Sequence, residues 1–254
     1  TCALPISGDH IKASGDIGLN MVAITLLYRE GYFKQRIDED GIQTETYPRF
    51  DPHPLLKKLD VKFTLRLRER DVWIQAYQFD YVGHGGHIIP IYFLDTDVEE
   101  NFEDDRLITL RLYSGDKDHR ILQEAILGFG GTKLLDELGQ KEIKTYHMNE
   151  VHCSFLVLNL LEKFNGDTEK VKSLCHFTTH TPVAAGHDHF AESRVKKLLH
   201  GLIPENLDLP SLVQNSRLHM TELGLYFSRS ANGVSELHGQ VAQTQFPWAN
   251  IGYI

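Results

Sequence analysis

Side chains that suit sugar binding lie at the ends of three predicted strands. Most are aromatic, amide, carboxylate, hydroxyl or imidazole groups. The strand predicted over residues 20–28 leads into Tyr28, Arg29, Tyr32, Phe33 and Gln35. The strand predicted over residues 143–148 is followed by Asn149, Glu150 and His152. The strand predicted over residues 171–178 is followed by Thr179, His180, Thr181, Pro182, His187 and Asp188. Ligands of an open α/β sheet bind outside the carboxyl ends of its strands, so we expect these groups to share one edge. Sugar hydroxyls need donors and acceptors, and sugar C–H faces need apolar platforms, so the pattern predicts a carbohydrate site.

Several of these residues also have a plainer structural interpretation. Asn149 is a typical N-cap for a helix over residues 150–164, and Glu150 at the start of that helix would meet the helix dipole favourably. A single histidine such as His152 is often a satisfied core residue, and aromatic rings commonly pack. The sequence leaves both interpretations open.

A metal site or a reactive thiol would be another use of the polar residues. Four histidines lie near Asp188 in the sequence, namely His176, His180, His187 and His189. Their spacing matches neither HExxH nor the deaminase zinc signature, so we expect no metal. Cys153, next to His152, has the position of a packing residue in an apolar helix rather than that of a nucleophile.

The N-terminal part of the chain has the alternation, β-branched residues and turns of strands. The predicted strands cover residues 19–28, 61–68, 71–81 and 87–94. The second and third would pair as a hairpin, and Pro90 would place the fourth near an edge of its sheet. The polar segment 29–41 and the proline-containing segment 44–60 predict irregular connections.

An interrupted helix and a series of βα units follow. The helix is predicted over residues 117–138, but Gly128, Gly130 and Gly131 each cost about 1 kcal/mol relative to alanine, which predicts a break or a close approach by another backbone. The remaining elements are a strand at 143–148 with a helix at 150–164, a strand at 171–178 with a helix at 190–200, helices at 217–227 and 232–243, and the start of a strand at 248–254. This alternation predicts an α/β fold with a parallel sheet covered by helices on both faces.

Charge and composition exclude several classes of partner. The chain has 254 residues, a formal net charge of −9 and a pI of about 5.8. An acidic chain has no electrostatic footprint for nucleic acid or an anionic membrane, and no apolar run approaches the roughly 20 residues of a membrane span. The three cysteines form no CxxC pair and no secretory signal is visible, so we expect a cytoplasmic protein.

The first residues carry two further predictions. Residues 1–6 resemble a translated sequencing adapter, and we interpret them as a non-native tail. The native domain is expected to cover residues 7–254. The segment 7–10 (SGDH) precedes a predicted helix that runs through Asp16, and a helix N-terminus can hold phosphate. A glycine-rich loop would be expected immediately before such a site.

An ordered series of segments is similar to one family, the α-glucan phosphorylases of glycogen, starch and maltodextrin. The segments are GDHIKASGDIG, LLYREGYFKQRID, IYFLDTDVEEN, EDDRLITLRLYSGDKDHRILQEAILGFGG, TYHMNEVHCSF, FTTHTPVAAGHDHF and ANGVSELHGQVAQ. They occur in the family's order over residues 7–250 and most resemble its bacterial and archaeal branch. A long ordered series is far more specific than any single motif.

The resemblance implies a fold, a reaction and a cofactor. The fold would be a two-lobed glycosyltransferase of the GT-B type, in which residues 7–254 form an incomplete, Rossmann-like N-terminal lobe that binds glucan. The reaction would be reversible phosphorolysis of α-1,4-glucan or malto-oligosaccharide by inorganic phosphate, giving glucose 1-phosphate with retained configuration. Pyridoxal 5'-phosphate would be attached to a lysine of the other lobe, which this sequence lacks, so the isolated chain is expected to be inactive. A homo-oligomer is compatible with the resemblance.

The resemblance also implies roles for residues. His180 in TTHT is similar to a family histidine whose backbone carbonyl faces the sugar at the cleavage site, and Asp116 in LYSGD resembles the acidic tip of a mobile gating loop. The implied substrate-binding residues, which line the same cleft, are Asn149, Glu150, His152 and Thr181. Val151 and Cys153 stand where the branch usually has glycine and small residues, so we expect altered packing there.

Three other functions are compatible with parts of the sequence. A nucleotide-sugar-dependent GT-B glycosyltransferase, such as a glycogen synthase relative, would also hold its acceptor in the first lobe but should open with a KxGG-like loop. A non-catalytic glucan-binding module would bind malto-oligosaccharide without turnover. A metal hydrolase built on the histidines would carry stoichiometric zinc.

Overall fold

The chain forms an α/β structure with two main sheets. The structure, a computed structural model, describes residues 3–112, 115–183, 186–203 and 213–254. The strands are β1 Ala23–Leu26, β2 Lys34–Ile37, β3 Gln43–Thr46, β4 Lys57–Leu67, β5 Arg70–Val82, β6 Ile88–Asp95, β7 Tyr146–Asn149, β8 Cys175–Thr179, β9 His189–Ala191, β10 Val213–Gln214, β11 Arg217–His219, β12 Ser230–Gly233 and β13 Ile251–Tyr253. The helices are α1 Ala3–Asp16, α2 Glu103–Arg106, α3 Lys117–Ala125, α4 Gly131–Glu137, α5 Leu156–Lys163, α6 Thr168–Leu174, α7 Glu192–Leu198, α8 Met220–Tyr226 and α9 Glu236–Gln245.

One main sheet is entirely parallel and is built from consecutive βα units. Its strand order is β13-β12-β8-β7, and every neighbouring pair runs in the same direction. The register pairs Asn149 with Thr178 and Thr178 with Asn232, so the carboxyl ends of three strands lie side by side. The predicted α/β architecture with a parallel sheet is confirmed, and its carboxyl edge is the expected place for a ligand.

The other main sheet is mixed, with the strand order β1-β6-β5-β4. The predicted hairpin of β4 and β5 is confirmed, and it turns at Arg68 and Glu69, which both have a positive φ. Pro90 was expected near an edge, yet β6 lies between β1 and β5. The parallel pairing with β1 begins only at Ile91, so β6 has no neighbour on that side at the proline.

The predicted break in the long helix is confirmed and takes the form of a π turn. Regular α-helix ends at Ala125, the π turn covers Ile126–Gly130, and α4 continues from Gly131. A β-carbon at Gly128 would lie 2.7 Å from the backbone nitrogen of Leu156. The π turn therefore lets α5 approach the interrupted helix closely, which a side chain at this position would prevent.

Several predicted elements differ in type or place. Residues 171–174 were expected in a strand but belong to α6, because Asp167 caps that helix by accepting a hydrogen bond from the Lys170 N–H at 2.9 Å. The strand itself begins at Cys175. The segment 29–41 was expected to be irregular, but part of it pairs with β3 as an exposed antiparallel hairpin.

Two predictions about helix starts are wrong. Asn149 does not cap the following helix, because it ends β7 and is followed by a 3-10 turn at Val151–Cys153 before α5 begins at Leu156. The segment 7–10 does not precede a helix but lies inside α1, so its backbone N–H groups are not the free donors of a helix start.

A single hydrophobic cluster joins the two main sheets through the interrupted helix and α5. Its largest fully buried side chains include Phe129, Phe155, Phe177 and Phe190. The Phe129 and Phe155 rings stack with centroids 5.9 Å apart, at the crossing that Gly128 permits. None of the helices in the described ranges has the length and apolarity needed to cross a bilayer.

The close crossing at Gly128 makes a paired test of the fold possible. Gly128→Ala should destabilise the chain by about 1–3 kcal/mol, because its new methyl group meets the Leu156 backbone. Gly131→Ala is the matched control, since its β-carbon would meet only Ile24 side-chain atoms at 3.6 Å and 3.7 Å. That control should be neutral or stabilising by up to about 1 kcal/mol. Equal urea midpoints of the two variants, followed by circular dichroism, would contradict this packing.

Candidate functional site

The candidate site begins where β7 and β8 end. Glu150 follows β7 directly, and its φ of 64° lies in the left-handed region that non-glycine residues rarely adopt. The Glu150 N–H donates to the Thr178 carbonyl at 2.9 Å, which continues the ladder for one residue beyond the strand. Strain of this kind persists only where the surroundings hold the residue in place, and such residues cluster at functional sites.

The carboxylate of Glu150 connects the two strand ends. Its Oε1 accepts hydrogen bonds from the backbone N–H of His180 and from Thr179 Oγ1, the latter at 3.0 Å. The Nδ1 atom of His180 lies 3.7 Å from the same oxygen. Glu150 is only 2% exposed, so these bonds form away from water. Burial lowers the pKa of His180 even though Glu150 opposes the shift, and the imidazole is therefore neutral at neutral pH.

Three of the predicted residues carry a buried polar atom that lacks a hydrogen-bond partner among the described residues. These atoms are Asn149 Oδ1, Glu150 Oε2 and His180 Nε2. The amide nitrogen of Asn149 donates to Ser7 Oγ at 2.7 Å, which leaves its oxygen as the unused acceptor. Buried polar groups are almost always paired, so three unpartnered atoms on neighbouring residues make these strand ends the candidate place for a ligand.

His152 lies beside a charged cluster that the sequence did not predict. Arg120 of α3 reaches His152 Nδ1 at 3.1 Å, Asp188 Oδ2 at 2.6 Å and Glu124 Oε1 at 3.2 Å. Burial and, secondarily, the charge of Arg120 lower the pKa of His152 to about 4. His152 is thus a half-buried, neutral imidazole beside a cation, and it is neither a solvated surface residue nor an apolar core residue.

The remaining predicted residues have simpler environments. Asp116 is exposed and caps α3, with its Oδ1 accepting from the His119 N–H at 3.0 Å, and this hydrogen bond lowers its pKa. It lies one helical turn before Arg120, whose N–H donates to the Asp116 carbonyl at 3.0 Å. Tyr113 and Ser114 of the LYSGD segment lie outside the described residues, so the gating role of Asp116 stays a prediction. Thr181 is half-buried, and its methyl group occupies the space beside Gly186.

The histidines singled out for a metal are not brought together. His176 contacts Ser230 and Asn232, whereas His187 contacts Thr221 and Gln245. In the described ranges, the group with metal-type ligand atoms within 4.8 Å of one another is Glu124, His152 and Asp188. Arg120 Nη2 already contacts all three, and a second cation in that space would be repelled by the guanidinium.

The thiol alternative is disfavoured by the environment of the cysteine. Burial raises the pKa of Cys153 to about 12, so the group stays a protonated thiol at neutral pH. Its Sγ lies 3.9 Å from the carbonyl oxygen of Glu150, where it acts as a packing atom under the strand end.

Sequence reasoning missed Arg120, Glu124 and His238. His238 of α9 is 9% exposed, and neither of its ring nitrogens has a partner among the described residues. A β-carbon at Gly233, the last residue of β12, would lie 2.7 Å from His238 Nδ1, so His238 lies at the carboxyl end of that strand. His238 could have been found from its place near the start of α9, which follows β12, but this strand of four residues was not predicted.

Comparison with known proteins gives named relatives along almost the whole chain. The chain is 38% identical to the maltodextrin phosphorylase of Thermococcus litoralis over 94% of its own length and 30% of the relative's length. It is 34% identical to the glycogen phosphorylase of Mycobacterium tuberculosis, with 95% of the chain and 31% of the relative covered. The glycogen phosphorylase of Aquifex aeolicus is 33% identical over 93% of the chain and 37% of the relative. No family model matches the chain.

These matches agree with the segments quoted above, which occur in order along the chain. The chain spans about a third of the length of these relatives. Over almost its whole length, the chain is therefore similar to one part of the glycogen and maltodextrin phosphorylases, the α-glucan phosphorylases.

Proposed function

We propose that the chain is the glucan-binding part of the N-terminal lobe of an α-glucan phosphorylase, with residues 7–254 as that lobe's native portion. The observation that supports this most directly is the set of unpartnered buried atoms on Asn149, Glu150 and His180 at one sheet edge. Two acceptors and one imidazole nitrogen suit sugar hydroxyls, which both donate and accept hydrogen bonds. The names of the relatives point to maltodextrin and glycogen as the class of ligand.

In the proposed reaction, inorganic phosphate cleaves the terminal α-1,4 bond of a glucan. The bond between the anomeric carbon and the leaving oxygen breaks, a phosphate oxygen bonds to the anomeric carbon, and the phosphate proton moves to the leaving oxygen. Positive charge builds on the sugar ring as the bond breaks. The carboxylate of Glu150 and the backbone carbonyl of His180 would stabilise that charge electrostatically. Asn149, His152 and Thr181 would orient the sugar, and Asp116 would close the site.

The described residues do not offer the lysine site that pyridoxal 5'-phosphate requires. A lysine that forms a Schiff base near neutral pH is commonly activated by desolvation or by a neighbouring cation, and no lysine among the described residues is buried. We therefore place the cofactor in a second lobe outside this chain and assign no step to it here. The cofactor would supply acid–base chemistry at the phosphate, whereas this chain would bind the glucan and hold the sugar in position.

Glu150→Gln tests the sugar-binding role. The amide oxygen can still accept from the His180 N–H, but the position of Oε2 becomes a donor, so a charge-assisted bond to a sugar hydroxyl is lost. Such a bond contributes about 1.5–3 kcal/mol, so the affinity for maltoheptaose should fall by about tenfold or more in titration calorimetry. Glu162→Gln, at an exposed position of α5, is the control and should bind normally. Equal affinity of the two variants would remove Glu150 from the glucan site.

The isolated chain should bind maltoheptaose without turning it over. The expected reason is that the group that relays the proton to the leaving oxygen lies in the absent lobe. Glucose 1-phosphate should therefore stay at the background level when the pure chain is incubated with maltoheptaose and inorganic phosphate, as measured by coupling to NADPH formation. Phosphate-dependent production of glucose 1-phosphate by the pure chain would refute this division of labour.

A further inference from the structure

Arg120 is placed to control the chemical state of His152. One nitrogen of its guanidinium, Nη2, faces three acceptors on three different parts of the chain: His152 Nδ1, Asp188 Oδ2 and Glu124 Oε1. The Arg120 side chain is 17% exposed and that of Glu124 is 1% exposed, so the contacts are largely shielded from solvent. Shielding makes the positions of the protons in this cluster well defined.

The contact with Arg120 fixes which nitrogen of His152 carries its proton. Arg120 Nη2 can only donate, and its two hydrogens serve three neighbouring atoms, so a hydrogen bond across the 3.1 Å contact requires His152 Nδ1 to accept. In a neutral imidazole the proton is then on Nε2. A proton on Nδ1 would break the contact, and protonation of both ring nitrogens would in addition bring two cations together.

Two carboxyl groups of the cluster, those of Glu124 and Asp188, face one guanidinium. The ligand atoms of Glu124, Asp188 and His152 lie within 4.8 Å of one another, and Arg120 supplies one positive charge to the two carboxyl groups. Burial raises the pKa of Glu124 well above its ordinary value. Burial would also raise the pKa of Asp188, but the charge and hydrogen bond of Arg120 outweigh it and lower that pKa. The two shifts have opposite directions: burial favours the neutral form of Glu124, and Arg120 favours the ionised form of Asp188.

We propose that Arg120 is a positioning residue of the glucan site and that it holds His152 as a neutral imidazole protonated on Nε2. In this arrangement Asp188 is the counter-ion of Arg120, and Glu124 is a neutral carboxylic acid. The consequence for sugar binding rests on the proposed function. An acceptor that meets Nε2, such as a sugar hydroxyl oxygen, then receives a hydrogen bond but no positive charge. Excess positive charge on the wall of the site would oppose the charge that develops on the sugar ring.

The tautomer can be read directly from the nitrogen resonances of the His152 ring. Long-range proton–nitrogen spectra of the full chain, with His152→Gln to assign the signals, should give a protonated Nε2 and an unprotonated Nδ1 from pH 8 down to about pH 5. The charged and titratable groups facing His152 are Arg120, Glu124, Asp188, Glu150 and His180. A protonated Nδ1, or a mixture of the two tautomers, would overturn the proposal.

Substitutions at Arg120 separate positioning from simple packing. Arg120→Met removes the cation and the donor, so the midpoint of His152 titration should rise by about one pH unit or more and the tautomer should become mixed. Arg120→Lys keeps one charge and a multiple donor, and it should restore the low midpoint and the Nε2 tautomer. Arg194→Met is the control, because Arg194 is an exposed partner of Asp118, which lies on α3 like Arg120. This variant should leave the titration midpoint and the tautomer of His152 unchanged. An unchanged His152 in Arg120→Met would refute the assignment.

Glu124→Gln tests the cluster without disturbing the cation. If Glu124 is protonated, the neutral amide replaces a neutral acid, and the titration of His152 should stay as in the parent chain. A shift of the His152 midpoint in this variant would show that Glu124 carries the charge and would contradict the proposal.

None of these measurements needs a ligand, so they test the state of His152 separately from the proposed function. Loss of maltoheptaose binding with the tautomer intact would refute only the glucan site.

Discussion

The carboxylate of Glu150 is the constraint on which the candidate site depends. It accepts hydrogen bonds from the Thr179 hydroxyl and the His180 N–H, so it joins the ends of β7 and β8 where the sheet itself has stopped. Removing a partner from a buried hydrogen-bonded charge leaves groups that neither water nor protein can satisfy, and this costs much more than the net value of the bond. The left-handed backbone at Glu150 is kept because this network determines it. The positions of Asn149 and His180 follow from the same contacts.

A second constraint sets the distance between the two halves of the site. The π turn at Ile126–Gly130 allows α5 to approach within contact of the interrupted helix, because Gly128 has no side chain to keep it away. The same helix carries Arg120 and Glu124 two turns and one turn earlier. The close crossing at Gly128 and the contact of Arg120 with His152 therefore lie on the same two segments of the chain. An apolar crossing and a polar cluster are in this way parts of a single arrangement.

Much of the fold was predictable because its elements have strong local signals. The β4–β5 hairpin, the interrupted helix and the βα units that follow were evident from alternation, apolar periodicity and glycine positions. Errors arose where local signals conflict. Residues 171–174 contain the β-branched Val171, yet the cap at Asp167 selects helix there. Strand β12 has the residues Ser230–Gly233, which carry no strand preference, and it forms because it is inserted between β8 and β13.

The sequence by itself determined the similarity to the α-glucan phosphorylases, the α/β class and the segments that supply polar residues to the sheet edge. Ordered motifs and periodicity are properties of the chain, so they can be recognised before it folds. Asn149, Glu150 and His180 could be named because each follows a strand, and parallel strands bring such positions together. The tertiary structure alone decided which charged groups surround the site histidines. Arg120 and Asp188 are 68 residues apart, and Arg120 and His152 are 32 residues apart, so no local pattern signals their contact. Protonation states depend on burial and on neighbouring charges, and both exist only once the chain has folded.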